Sequence, residues 1–336
     1  MTTLVTGATG FVGAAVARRL IAEGHDVRVL SRESSDRTNL DGLNVDVAIG
    51  DLTDRDSLDA AVQGCEALFH VAADYRLWIP KPADMFKNNV GGTCNVMLAA
   101  GEAGVKRIVY TSSVATLGIH PDVPVSDEET RVSYEDMIGA YKQSKFLAEQ
   151  EVRGFVKKGL PAVIVNPSAP VGPRDIKPTP TGQVILDAAL GKMPAYVDTG
   201  LNIVHVDDVA AGHLLAFEKG KPGERYVLGS DNMSLKEILT EIAGIMGHAP
   251  PKFSIPHNVV LPIAYVAEGW ARLFGGEPFA TVDGVRMSKK KMFYSSEKAI
   301  RTLGYSPRPA REAILDAIAW FKEKGYIKNN TERSEG

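Results

Sequence analysis

The chain has 336 residues, of which 44% are hydrophobic and 24% charged, and its formal net charge is -3. This composition is that of a globular protein of about two domains, and its charge gives no electrostatic case for binding to nucleic acid. Two cysteines and the lack of His-x-x-x-His spacing predict neither a disulfide framework nor a metal site. No leader-like or membrane-length apolar segment occurs, which predicts a cytoplasmic protein without stable membrane insertion.

A glycine turn near the N-terminus joins a predicted strand at residues 3–6 to a predicted helix at residues 14–20. Strand, glycine turn and helix are the context that a dinucleotide-binding loop requires. Glycines let the backbone approach a pyrophosphate, and the helix N-terminus presents unpaired N–H groups to it. The spacing is Gly-x-x-Gly-x-x-Gly, and the residues assigned to the cofactor are Gly7, Gly10, Phe11, Val12 and Gly13.

The second predicted strand, residues 27–30, is followed by Ser31 and Arg32. Many NAD-binding folds place an acidic residue here to hold the ribose 2′-hydroxyl. Arg32 instead has the charge to neutralise a 2′-phosphate, which favours NADP over NAD. The alternative is that Arg32 stacks on adenine, which would not distinguish the two cofactors.

Three more strands are predicted at residues 45–49, 67–71 and 106–110. Apolar strands that alternate with helices indicate an α/β fold, a Rossmann-type doubly wound parallel sheet. Such sheets bind ligands outside the carboxyl ends of their strands. The residues expected at this edge are Asp51 and Leu52 near adenine, the small pair Ala72 and Ala73, the helix-opening Asn89, and Ser113. Asp51 has an alternative role, which is to cap the helix that contains Ser57.

Tyr141 and Lys145 lie four residues apart, so both would face the same side of a helix. A tyrosine titrates at about pH 10 in water, and a neighbouring ammonium group lowers that pKa towards the range useful for proton transfer. The pair therefore predicts a general acid or base. The alternative is an amphipathic surface helix that happens to hold both residues.

Taken together, these motifs resemble the extended short-chain dehydrogenase/reductase family. The matching segments are residues 6–13, 51–52, 70–73, 89–93, 112–113, 141 with 145, 205–210 and 295–307, in the family's order. The resemblance implies that Tyr141 is the general acid/base and that Lys145 holds the nicotinamide ribose and depresses the tyrosine pKa. It implies that Ser113 positions the substrate oxygen. Asn89, Pro167 and Ser168 would lie near the ribose or nicotinamide end of the cofactor.

Residues 73–78 and 166–182 are similar to the dihydroflavonol-reductase-like proteins that include the hopanoid-associated sugar epimerases. One position departs from nucleotide-sugar epimerases, which often hold an arginine shortly before the His-Val-x-Asp segment. The matching residue is Leu201, which cannot supply a charge-assisted contact to a diphosphate. His205, Asp207 and Asp208 follow, and the resemblance assigns that segment to a structural turn and not to a metal.

Residues 1–173, rejoined by about 199–233, are expected to form the dinucleotide-binding domain. Residues 174–198 and 234–336 are expected to form a smaller, mainly helical substrate lobe. Candidates for its pocket are Tyr75, Arg76, Trp78, His120, Lys177, Tyr196, and Arg286 or Met287. Helices that start near Asn89 and Tyr141 are expected to pair in a homodimer. The apolar stretch 259–274 fits an amphipathic helix, and contact with a membrane or lipid is the alternative.

The sequence thus predicts an NADP(H)-dependent oxidoreductase that transfers hydride to or from a carbonyl or carbinol carbon. Its small-molecule substrate is expected to be lipid- or sugar-linked, with a place in hopanoid or related lipid metabolism. The first alternative is a sugar epimerase or dehydratase that retains NAD(P). The second is a non-catalytic NADP-sensing protein, since a fold does not fix a function; such proteins commonly lose the tyrosine and lysine that this chain keeps.

Overall fold

The computed structural model describes residues 1–120 and 122–328. The strands within them are β1 (Thr2–Thr6), β2 (Asp26–Ser31), β3 (Asp46–Ile49), β4 (Ala67–His70), β5 (Arg107–Thr111), β6 (Ala162–Pro167), β7 (Ala169–Val171), β8 (Ala195–Tyr196), β9 (Gly200–His205), β10 (Arg225–Leu228), β11 (Asp231–Ser234), β12 (Phe253–Ser254) and β13 (Lys291–Met292). The helices are α1 (Phe11–Ala22), α2 (Arg55–Val62), α3 (Pro82–Phe86), α4 (Gly92–Glu102), α5 (Gly139–Lys157), α6 (Pro180–Ala189), α7 (Val206–Lys219), α8 (Leu235–Met246), α9 (His257–Phe274), α10 (Val282–Ser288), α11 (Glu297–Leu303) and α12 (Ala310–Glu323).

The main sheet has seven parallel strands in the order β10-β6-β5-β4-β1-β2-β3. The strand order reverses direction between β1 and β4, where Val5 lies opposite Phe69. In doubly wound sheets this switch point opens a crevice at the carboxyl ends of the strands. The predicted fold class is confirmed, and β6 and β10 extend the sheet beyond the five strands predicted.

Helices cover both faces of this sheet, because alternate residues of each strand point to opposite sides. Val5, Val29 and Phe69 are buried on the face that carries α1, α7 and α11. Their neighbours Leu4 and Leu30 are buried on the other face, under α2, α4 and α5. Both faces of the sheet are therefore buried, as the continuous apolar strands predict for a parallel sheet.

The remainder of the chain builds around a second core formed by α6, α8 and α12. A four-stranded sheet supports it, in which β9 pairs with β7, β11 and β13. Within the returning segment 199–233, β10 joins the main sheet, whereas β9 does not. The reason is that β9 finds its hydrogen-bonding partners in β7 and β11 and places Ile203 in the second core. The last eight residues of the expected lobe, 329–336, lie outside the described residues.

Candidate active site

The glycine turn lies between β1 and α1, at the switch point of the sheet. Gly7 has a φ of +74°, and a Cβ on it would lie 2.7 Å from the backbone of Ala72 at the end of β4. A Cβ on Gly13 would lie 2.1 Å from the Gly7 carbonyl oxygen. Only glycine fits either position, so the turn packs closely between two strand ends. The side chains of Phe11 and Val12, in the first turn of α1, pack against the core beneath it. This geometry suits a pyrophosphate.

Cationic residues follow β2. Arg32 is exposed, and Arg37 donates from Nε to the Ser31 hydroxyl at 3.2 Å. Sequence reasoning missed Arg37, although a second arginine shortly after the strand was a readable signal. Ser31, Arg32 and Arg37 therefore form a cationic, hydroxyl-bearing end to β2. A group of this kind can bind a phosphate.

Asp51 follows β3 and forms a local turn, in which its Oδ1 accepts from the Thr53 backbone N–H at 2.8 Å and from the Thr53 hydroxyl at 2.7 Å. Burial raises the pKa of Asp51, but these hydrogen bonds and the nearby Arg32 outweigh it, so the pKa lies below its usual value. The alternative that Asp51 caps α2 is wrong, because Asp54 occupies the cap position. Leu52 packs against Gly92 at the start of α4.

The exit of β4 is held by buried polar groups. His70 is fully buried between the hydroxyls of Thr6 and Thr93, at 2.7 and 3.0 Å, and burial lowers its pKa to about 3, which keeps the imidazole neutral. The backbone N–H of Ala72 donates to the Thr6 hydroxyl at 3.2 Å. Ala72 and Ala73 then run half-buried along the edge of the crevice.

Asn89 lies in a π-helical turn, Lys87–Gly91, between α3 and α4. Its amide N–H groups donate to the Asp74 carbonyl at 2.8 Å and to the Ser144 hydroxyl at 3.0 Å. Its carbonyl accepts from the Asp74 backbone N–H at 2.7 Å. Asn89 thus ties the loop after β4 to α5, and its contact with a cofactor stays a prediction.

Ser113 and Tyr141 lie together at the end of β5 and the start of α5. The Ser113 side chain accepts from the Ala115 backbone N–H at 3.1 Å, which fixes the loop that carries it. Burial raises the pKa of Tyr141 above its usual value, and the neighbouring Ser113 hydroxyl opposes that shift. Tyr141 is therefore a protonated phenol at neutral pH, poised to donate a proton beside a second hydroxyl.

Lys145 is buried one turn along α5 and points to β5. Its Nζ donates to the Thr111 carbonyl at 2.8 Å and to the Tyr110 hydroxyl at 3.2 Å. Burial lowers its pKa to about 8, and Glu149 opposes that shift. The Lys145 ammonium is held by β5, and burial is the largest influence on the pKa of Tyr141. The lowering of that pKa by Lys145 stays a prediction.

Comparisons with known proteins identify the family. The sequence model of the NAD dependent epimerase/dehydratase family matches residues 3–229. A putative dihydroflavonol 4-reductase from Synechocystis sp. is 47% identical over 96% of this chain and 95% of its own length. Sterol demethylase protein B from Methylococcus capsulatus is 39% identical over 97% and 100%. The crystal structure of gox2253 is 58% identical, with a TM-score of 0.88 and coverage of 97% and 99%.

The chain belongs to the NAD-dependent epimerase/dehydratase family, the extended short-chain dehydrogenases/reductases. The predicted family is therefore confirmed. The protein is an NAD(P)-dependent enzyme, a reductase, dehydrogenase or epimerase.

Sequence reasoning missed Glu149, which lies one turn after Lys145 on α5 and is 1% exposed. Its carboxylate accepts hydrogen bonds from the hydroxyls of Ser112 and Thr116, on either side of Ser113. It also accepts from the Asn166 amide at 3.1 Å and pairs with Arg225 at 3.3 Å. One buried carboxylate thus joins α5, the Ser113 loop, β6 and β10. The four-residue spacing of Lys145 and Glu149 on α5 is common on surface helices, so it did not indicate this role in the sequence.

We expect Glu149→Gln to lower the free energy of unfolding by about 2–4 kcal/mol, because it leaves Arg225 without its buried charge partner. We also expect kcat to fall about tenfold as the Ser113 loop loses its anchor, with the cofactor dissociation constant unchanged. Urea unfolding and steady-state kinetics measure both. Glu151→Gln, on the exposed side of the same helix, is the matched control and should leave both values unchanged. Equal kinetics for the two variants would contradict the anchoring role.

Ser168 follows β6 at the same edge of the sheet. Its hydroxyl is buried and has no hydrogen-bonding partner among the described residues, whereas its backbone N–H donates to the Leu228 carbonyl at 3.1 Å. A buried unpaired hydroxyl calls for a ligand or water partner. The glycine turn and this unpaired hydroxyl fit the family's dinucleotide cofactor, and the contact of Pro167 and Ser168 with it stays a prediction.

The pocket candidates are not all brought together. Arg76 is paired with Asp74, and the Trp78 ring lies 5.5 Å from the Arg272 guanidinium, so both border the loop after β4, as does the exposed Tyr75. The other candidates lie elsewhere. His120 forms a hydrogen bond with the Arg131 carbonyl, Lys177 lies near Asp36, and Tyr196 packs on the second core. Met287 lines a small cavity beside Lys142, and Arg286 contacts Tyr265.

The segment that contains His205 is structural. The His205 ring accepts from the Asp207 backbone N–H at 3.0 Å and so caps α7. Asp207 pairs with Arg174 at 2.8 Å, and Asp208 with Arg308 at 2.8 Å. Each carboxylate has a cationic partner, and the segment fastens α7 to the second core. Leu201 packs against that core as an aliphatic side chain.

Proposed function

We propose that this enzyme is an NADPH-dependent reductase that converts a carbonyl group of a lipid-derived substrate into an alcohol. The observation that carries the proposal is the pairing of a protonated, half-buried tyrosine with Ser113 at the edge of the switch-point crevice. A protonated phenol donates in the direction of reduction.

The residues would act as follows. Ser113 and Tyr141 donate hydrogen bonds to the carbonyl oxygen, on which negative charge develops, so they stabilise the transition state more than the ground state. A nicotinamide cofactor, held along the crevice by the glycine turn and Lys145, would supply the hydride that the carbonyl carbon receives. Tyr141 gives its proton to the oxygen, which completes the alcohol. Lys145 holds the cofactor ribose, as in the family that the chain resembles.

Preference for NADPH is supported by the end of β2. Arg32 and Arg37 provide two cations, and the residue directly after the strand is Arg32 and not an acid. Glycine residues Gly7, Gly10 and Gly13 would receive the pyrophosphate, Asp51 and Leu52 the adenine, and Ala72 and Ala73 the middle of the cofactor. Asn89, Pro167 and Ser168 would border the ribose and nicotinamide.

A polycyclic lipid is the substrate class we favour, with a role in hopanoid or related lipid metabolism. Relatives include a reductase and a protein named for sterol demethylation, and Leu201 replaces the arginine that nucleotide-sugar epimerases often use. We further propose a cytoplasmic homodimer that pairs through α4 and α5, where Leu98 is 40% exposed. The division into a cofactor domain, 1–173 with 199–233, and a substrate lobe, 174–198 with 234–336, is part of the same proposal.

The test is to mix the purified enzyme with NADPH and a 3-ketosteroid as the carbonyl probe, and to follow the loss of NADPH absorbance. We expect stoichiometric loss of NADPH and formation of the alcohol. The rival activity is epimerisation, tested with UDP-glucose: an isomerised product with no net change of cofactor, and NAD that co-purifies with the protein, would contradict the reductase proposal. Binding of NADPH without turnover of any carbonyl or sugar probe would favour a sensor.

A further inference from the structure

Helix α9 turns small side chains inward and large ones outward. Its buried residues are Ala264, Ala267 and Ala271. Its outward stripe has fractional exposures of 47–80% and consists of Val259, Ile263, Val266, Trp270 and Leu273. These five follow each other at intervals of four and three residues, which places them on one side of the helix. A surface helix of a globular protein normally shows the opposite arrangement, with polar residues outward.

Further aromatic residues extend this stripe. Phe274, at the end of α9, is 68% exposed, Phe279 beyond it is 82% exposed, and Tyr265 is 52% exposed. We call these three residues and the outward stripe the α9 face. A single exposed apolar side chain needs no explanation, but a continuous patch of this kind marks a binding surface.

The surroundings of the α9 face are basic, although the whole chain has a formal charge of -3. Residues 252–291 hold six lysines and arginines against three acids. The Arg272 side chain is 70% exposed and lies 3.7 Å from Glu268. Arg286 donates to the Tyr265 hydroxyl at 3.0 Å and lies 3.8 Å from Asp283. Residues 289–291 are exposed lysines, of which Lys291 lies 3.5 Å from Asp198. Glu268 is turned inward, where it accepts from the Val282 backbone N–H at 2.7 Å.

We propose that the α9 face docks on the surface of a lipid bilayer that carries anionic headgroups. The helix would lie in the plane of the interface with its apolar stripe among the acyl chains and its basic border at the headgroups, as amphipathic membrane-surface helices do. Trp270 and Tyr265 are side chains that favour this interface. No helix among residues 1–120 and 122–328 is long and apolar enough to cross a bilayer, so the contact is peripheral.

Charge favours an anionic surface over a second copy of the chain. A two-fold pairing of the α9 faces would bring equal patches together. Arg272, Arg286 and the lysines at 289–291 would then face the same cations of the partner copy, which is unfavourable. A bilayer with anionic lipids complements both the apolar stripe and its border.

The position of the α9 face connects it to the candidate site. Arg272 of α9 lies over Trp78 in the loop after β4. On α10, which packs against α9, the Asp283 carboxylate lies where a Cβ on Gly139, the first residue of α5, would contact it. Docking would therefore place the start of α5, which carries Tyr141, next to the bilayer. The docking itself does not depend on the proposed reaction.

The experiment is co-sedimentation of the full chain with vesicles of phosphatidylcholine and with vesicles in which about one third of the lipid is phosphatidylglycerol. We expect binding to the anionic vesicles that weakens with salt, and weaker binding to the neutral ones. The double variant Val266→Glu, Leu273→Glu should lower the partition coefficient at least about tenfold. Ile300→Glu on α11, at a site 48% exposed, is the matched control and should bind as the wild type does.

A second variant keeps the apolar stripe intact. Arg272→Glu with Lys289→Glu should reduce binding to anionic vesicles about tenfold and leave binding to neutral vesicles unchanged. Circular dichroism and urea midpoints confirm that each variant is folded. Wild-type protein that sediments with neither vesicle would overturn the proposal. A dimer in analytical ultracentrifugation that the Val266→Glu, Leu273→Glu variant abolishes, without any vesicle binding, would assign the face to a second copy instead.

Discussion

Tyr141→Phe is expected to lower kcat for carbonyl reduction by about 10²–10⁴-fold, because it removes the phenol proton that the product alcohol would receive. Phenylalanine keeps the ring that packs at the start of α5, so the dissociation constant of NADPH should change less than about twofold. Stopped-flow hydride transfer and fluorescence titration with NADPH measure the two quantities separately.

The pH dependence adds an independent check on Tyr141. Burial raises the pKa of its phenol, so the tyrosine stays protonated up to about pH 9 and should impose no pH dependence of its own on the reduction rate below that pH. A fall in the rate through about pH 8 would report Lys145, whose pKa is about 8. Oxidation of the alcohol needs the phenolate and should accelerate as pH rises. Tyr134→Phe, an exposed tyrosine near Phe146, is the control. Near wild-type turnover in Tyr141→Phe would remove tyrosine from the mechanism.

Arg32→Asp should weaken NADPH binding by about 10–100-fold, because a charge-assisted contact to the 2′-phosphate is lost and a repulsive charge takes its place. The affinity for NADH should stay unchanged or improve, since a carboxylate at the end of β2 can accept from a ribose 2′-hydroxyl. Fluorescence titration with both cofactors gives the ratio of the two affinities, which is the quantity that decides.

Lys106→Asp reverses the charge of a side chain that is 75% exposed and lies at the amino ends of the strands. This variant controls for the change in net charge. It should leave both affinities unaltered. An equal loss of NADPH and NADH in Arg32→Asp would mean that Arg32 contacts a part common to both cofactors, such as adenine. A wild type that prefers NADH would reverse our choice of cofactor.

The fold was predictable because its signals are local. The apolar strands, the glycine turn and the Tyr141 helix each follow from a few neighbouring residues, and the parallel order follows from the alternation of strands and helices. The placement of β9 was not predictable in this way. An apolar strand reads the same whether it joins the main sheet or pairs with β7 and β11, because periodicity carries no information about the partner.

The candidate site shows the same division. Motif spacing was enough to nominate Tyr141, Lys145 and Ser113, but the direction of each side chain depends on distant contacts. Lys145 is held by Thr111 on β5, which no spacing within α5 reveals. Glu149 was not predictable because its four partners come from separate parts of the chain. Arg37 was readable as a second arginine after β2, but its hydrogen bond to Ser31 was not.

The pairing of Glu149 with Arg225 makes the order of folding matter for the chemistry. The two residues are 76 positions apart, so the loop that presents Ser113 is not fully fastened until β10 has added to the edge of the sheet. Contacts at such separation form late and slowly. A growing chain would therefore complete the glycine turn well before it fixes the Ser113 loop. A nascent enzyme at that stage would have its cofactor-binding turn without a finished proton-donating site.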